Sequence, residues 1–121
     1  MIGAFYENKD YSTVIRVGSN LLSRRPDYKP ILKIVGFSAF LTNQYERAEN
    51  ALKKYKTLDS KDPEVDFILG LIYFERRDYK LSNLYFNNAV LGGYQPKSIV
   101  ERKLAYNYGI LGMNENMFQV L

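Results

Sequence analysis

The sequence predicts an all-α fold of antiparallel helix hairpins, on three observations: a 34-residue internal period, amphipathic stripes at helical spacing, and capping residues that fall between the stripes. Tyr11, Tyr45 and Tyr79 carry the period, with 45 − 11 = 34 and 79 − 45 = 34. Each follows a polar helix-starting residue: Asp10, Gln44 with Asn43 behind it, and Asp78. Gly36 and Gly70 stand at the same distance before the second and third tyrosines (45 − 36 = 79 − 70 = 9). Self-similarity at this period marks repeat architectures, whose single units cannot bury their apolar faces alone.

The stripes identify the helices. Leu32, Val35, Gly36 and Ala39 fall at i, i+3, i+4 and i+7, as do Asp66, Leu69, Gly70 and Tyr73, with Asp66 the one polar departure. Tyr45, Ala48, Leu52 and Tyr55 form the partner stripe of one hairpin, and Tyr79, Ser82, Phe86 and Ala89 that of the next. Asp62 before Pro63 and Glu64 combines an N-cap, a proline at the first helical position and an acid in the first turn. Pro30 fits only a first turn, which sets that helix start near Asp27 or Tyr28. Gly92-Gly93 ends a helix, and Ser98 with Glu101 suggests a capping box for the next. Arg76-Arg77 beside Asp78 closes the turn of the third hairpin. Helices are therefore expected near 1–8, 11–24, 28–42, 45–58, 63–76, 79–92, 97–111 and 115–121.

These residues resemble the tetratricopeptide repeat (TPR) family, which shares this period. The third repeat fits best, through Leu69, Gly70, Tyr73, Tyr79, Phe86 and Ala89. The second matches at Gly36, Ala39, Tyr45 and Ala48, with Leu32 where the family often has tryptophan. The first matches at Tyr11 and Pro26, but Gly18 replaces a large apolar residue; in the fourth, Gly109 and Phe118 align only with about five extra residues around Gly93 to Lys97. The resemblance implies a right-handed superhelical solenoid of about three and a half repeats in one domain spanning 1–121, with repeats near 1–27, 28–61, 62–96 and 97–121. The first repeat starts partway through a helix and the chain stops at Met117-Phe118-Gln119-Val120-Leu121, so both ends read as open, as in a piece of a longer protein or an array covered by neighbouring copies.

In such a solenoid the first helix of each pair lines a concave wall. The side chains displaced toward it are Lys33, Phe37, Phe40 and Leu41, then Glu64, Phe67, Leu71, Phe74 and Glu75, then Lys103, Tyr106, Ile110 and Met113. The expected groove is aromatic in its middle and charged at its rim, suited to a helix or extended peptide with hydrophobic anchors. Family members that clamp an acidic tail use a lysine and asparagines along this wall. Lys33 suits that role, but Phe37 and Ile68 stand where the asparagines belong, which argues against the clamp. The competing reading is that the aromatic stripe is simply core.

Composition narrows the function. The chain has no cysteine and no histidine, which removes thiol chemistry, disulfides and the usual general base and metal ligand. No cofactor, no metal and no catalysis are expected. Asp59, Asp62, Glu64 and Asp66 lack the glycine and closing glutamate of a calcium loop, and capping accounts for Asp62 and Glu64. Seventeen Lys and Arg against thirteen Asp and Glu alternate along most of the chain. Even the densest basic stretch, Lys53, Lys54, Lys56 and Lys61 after Arg47, is interleaved with Glu46, Glu49 and Asp59. A solvated face is favoured over nucleic acid as its explanation. No apolar run reaches the roughly 20 residues of a membrane span, and Met1 to Phe5 lack the basic flank of a signal peptide. The expected partner is a protein or peptide, with self-association through open ends and a weak nucleic-acid contact as the alternatives.

Overall fold

In the computed structural model, residues 2–59 and 61–112 are described. They form seven helices: α1 (Ile2–Glu7), α2 (Tyr11–Arg24), α3 (Lys29–Leu41), α4 (Tyr45–Leu58), α5 (Pro63–Glu75), α6 (Tyr79–Leu91) and α7 (Lys97–Leu111). These seven start within a residue of the expected positions; Met113, Phe118 and the helix expected near 115–121 lie outside the described residues. The chain divides into two compact units, Met1–Ser60 and Lys61–Leu121. In the first, α1 packs on α2, α2 on α3 and α3 on α4; in the second, α5 packs on α6 and α6 on α7.

The expected stripes supply the cores. Leu32, Val35, Gly36 and Ala39 of α3 meet Ala48, Leu52 and Tyr55 of α4 in the first core, with Val14 and Ile15 of α2. Leu69, Gly70 and Tyr73 of α5 and Ser82, Phe86 and Ala89 of α6 form the second core, joined by Val100 and Leu104 of α7. Full burial of a side chain the size of Leu52 or Phe86 is worth about 1.5–3 kcal/mol.

The glycines of the period allow close helix approach. A Cβ at Gly36 would collide with Leu52, and one at Gly70 with Phe86. Gly18 makes room for the next hairpin, since a Cβ there would collide with Val35 of α3. It lies one period before Leu52, while Ile2 lies one period before Gly36, and the Ile2 Cδ1 sits 3.3 Å from where a Gly18 Cβ would be. Large and small have exchanged sides between α1 and α2.

The turns repeat as faithfully as the helices. Lys9, Asn43 and Arg77 adopt the left-handed conformation at φ 61°, 63° and 60°, again one period apart. At each, two amide N–H groups donate back across the helix end: Lys9 to Tyr6 and Asp10 to Phe5, Asn43 to Phe40 and Gln44 to Ala39, Arg77 to Phe74 and Asp78 to Tyr73. This is the Schellman arrangement, which satisfies carbonyls the helix leaves open. Gly93, at φ 88°, does the same after α6, with Gly93 donating to Val90 and Tyr94 to Ala89. Helix N-termini are capped by Asp10 on α2 (from Thr13 N–H, 3.3 Å), Asp62 on α5 (from Glu64 N–H, 3.1 Å) and Asp78 on α6 (from Leu81 N–H, 3.3 Å).

Two expectations are corrected. The capping box at Ser98 and Glu101 does not form: α7 begins at Lys97, and the carbonyl of Pro96 accepts the Ile99 N–H (3.2 Å) and makes Pro96 the N-cap. Glu101 faces Lys97 instead, at 4.0 Å. Nor is α7 displaced from the period. Its first residue, Lys97, lies one period after Pro63, as Pro63 lies one period after Lys29, so Leu104 rather than Gly109 takes the place of Gly70.

Candidate functional site

The first helices of the hairpins hold the aromatic residues singled out from the sequence, and the structure sorts them by what covers them. Rings pair across each hairpin turn at the period of the repeat: Tyr6 with Tyr11 (5.8 Å between centroids), Phe40 with Tyr45 (5.8 Å) and Phe74 with Tyr79 (6.0 Å). Phe40 and Phe74 therefore help close turns as well as line a face. Phe67 is committed further to packing, since it stacks on Tyr94 at 4.3 Å and lies 5.9 Å from the buried Phe86. Leu71 packs against the same Phe86–Val100–Leu104 cluster. Burial, and then the charge of Glu64, push the Tyr94 hydroxyl above the ordinary tyrosine value near 10.

In the first unit Lys33 and Phe37 are half-buried, with the Lys33 Nζ 5.7 Å from the Phe37 ring centroid. Leu41 at the end of α3 is exposed.

In the second unit α5, α6 and α7 bring three rings together around an open cleft of about 450 Å³, lined by Phe74, Glu75, Arg77, Tyr79 and Tyr106. Phe74 and Tyr106 lie 5.5 Å apart and Tyr79 and Tyr106 6.4 Å apart. The Lys103 Nζ stands 4.9 Å from the Phe74 centroid, within the range of a cation–π contact. Tyr106 is 55% exposed and Ile110 lies open one turn further along α7. Glu64 is also exposed, at the start of α5. An aromatic floor with Glu75 and Arg77 at its edge can seat an apolar side chain and pair with either sign of charge beside it.

No protein-family model matches the sequence, and no curated protein matches it. Among solved structures, the crystal structure of MamA superposes with a TM-score of 0.84 at 20% identity, covering 96% of this chain and 67% of that one. The TPR domain of Sgt2 from Aspergillus fumigatus superposes with a TM-score of 0.74 at 22% identity, covering 91% of this chain and 74% of that one. The chain has the tetratricopeptide fold. The likeness is one of architecture, at 20–22% sequence identity.

Within this tetratricopeptide fold, sequence reasoning passed over a buried polar relay in the second unit. The Asn107 Nδ2 donates to the Ser82 Oγ (3.0 Å), which donates to the Gly70 carbonyl (2.9 Å), tying α7 to α6 and α6 to α5. Ser82 and Asn107 are fully buried. The available signal was that Asn107 lies one period after Tyr73, itself buried. The acids Asp59 and Asp62 are likewise occupied structurally, Asp59 facing Lys29 at 3.6 Å and Asp62 capping α5. On α4, Lys53 pairs with Glu49 at 3.3 Å. No described helix is long and apolar enough to cross a membrane.

Proposed function

We propose that this protein is an interaction scaffold that holds a peptide or a helix of another protein against the aromatic side chains of its hairpins' first helices. The observation that carries this reading is the open cleft in which Tyr106, more than half exposed, meets the half-buried rings of Phe74 and Tyr79. Aromatic residues dominate binding hot spots because each offers a large contact area at small entropic cost. Lys33, Phe37 and Phe40 in the first unit, and Phe67, Leu71, Phe74, Tyr106 and Ile110 in the second, are the proposed contacts. Tyr106 is the anchor, and Phe67 acts chiefly by supporting the surface from beneath. Binding alone, without catalysis, accounts for this wall.

The test is a selection of displayed random peptides on the intact chain, followed by Tyr106→Ala. The selected peptides should be rich in hydrophobic anchors, and the variant should lose about tenfold or more in affinity with an unchanged melting temperature. Undiminished binding by the variant would reject the cleft as the site.

A further inference from the structure

The repeat supplies its own control for reading the outer face of α6. Leu81, Leu84, Asn88 and Leu91 lie one period after Arg47, Asn50, Lys54 and Thr57 of α4, which in turn lie one period after Thr13, Arg16, Asn20 and Ser23 of α2. Two hairpins present polar side chains at these places and the third presents leucine at three of four. The leucines are not buried: Leu84 is 51% and Leu91 85% exposed. They sit opposite Ser82, Phe86 and Ala89, the side of α6 that faces its own core. Charge has been lost along with polarity, since Lys80 is the single charged residue of α6 whereas α4 carries six. Charge depletion around exposed apolar side chains is the signature of an interface centre, not of a solvated helix.

The spacing identifies the occupant. Positions 81, 84, 88 and 91 follow the i, i+3, i+7, i+10 rhythm of a two-stranded coiled-coil seam, with asparagine at one of the two inner heptad sites. A primary amide both donates and accepts, so Asn88 is satisfied by its own counterpart across a two-fold axis. A foreign helix would need a polar residue in this one register, while a second copy provides it by symmetry. We infer that the outer face of α6 is a self-association surface, on which a second copy of this chain docks its own α6 in parallel, leucine to leucine and Asn88 to Asn88. Lys80 then faces Tyr85 of the second copy, with no like charge opposed. The helix is about 20 Å long, and a seam of that length buries less than the roughly 800 Å² per partner of a standard interface, so the dimer is weak and concentration-dependent.

Sedimentation equilibrium of the intact chain, from micromolar to millimolar, should show a monomer–dimer equilibrium. Leu84→Asp should weaken it by about tenfold or more, while Asn50→Asp, at the same repeat position on α4, should leave it unchanged. Because the protein has no cysteine, Leu84→Cys should form a disulfide between copies under mild oxidation and Asn50→Cys should not. Both positions are exposed, so circular dichroism should report native folding throughout. A wild-type chain that stays monomeric at millimolar concentration overturns the inference, as does equal cross-linking through positions 84 and 50. Peptide capture at Tyr106 should persist in Leu84→Asp, which separates this surface from the proposed groove.

Discussion

The residues that matter most for packing are the smallest. Gly70 admits the ring of Phe86 where any side chain would collide with it, and Phe86 is fully buried among α5, α6 and α7. Gly70→Ala should therefore destabilise the protein by about 1–3 kcal/mol, the usual cost of overpacking, even though alanine favours helix by about 1 kcal/mol. The midpoint of chemical denaturation measures it; an unchanged or raised midpoint would mean that Phe86 moves aside freely. The polar relay beside this contact works in the other direction, fixing orientation more than adding strength. Ser82 has a choice of rotamer, and the Gly70 carbonyl and Asn107 amide together select one.

At the scale of the element, local chemistry accounts for where helices begin and end. Asp10, Asp62 and Asp78 were legible as caps because their side chains are short acceptors placed ahead of apolar periodicity. The left-handed residues were not legible at Lys9 and Arg77, since neither side chain favours positive φ and only the regular spacing of the turns exposes them. A non-glycine residue in this conformation costs about 1–2 kcal/mol. Lys9→Gly should thus raise stability by up to about 1 kcal/mol, readable as a higher melting temperature. A lower one would show that Lys9 contributes more through its side chain than its backbone costs. The aromatic face was legible only in part. Helical spacing places Phe67 and Phe74 on one side of α5, but which ring is covered depends on the loop after α6. Tyr94 in that loop lands on Phe67, and nothing in the periodicity of α5 encodes that return path.

For the whole molecule, each unit carries its own core, so the loss of one buried ring should be felt unevenly. Phe86→Ala removes the largest fully buried side chain among the described residues and should cost about 3–5 kcal/mol in the second unit. Unfolding should then split into two steps, with amide signals of α2 and α3 outlasting those of α5 and α6 in a denaturant series followed by NMR. A single transition shared by all signals would show that the array unfolds as one. The period itself explains why so much of the fold could be read from the chain: one set of helix and turn residues, written three times, leaves few alternatives. The exchange of bulk between Ile2–Gly18 and Gly36–Leu52 adds a restriction that repetition hides. The first hairpin's halves match only each other: α1 with α4 would set Ile2 against Leu52 in one space, and α2 with α3 would leave Gly18 facing Gly36 across a void. Duplication of whole hairpins is therefore open to such a protein, while exchange of single helices with its first hairpin is not.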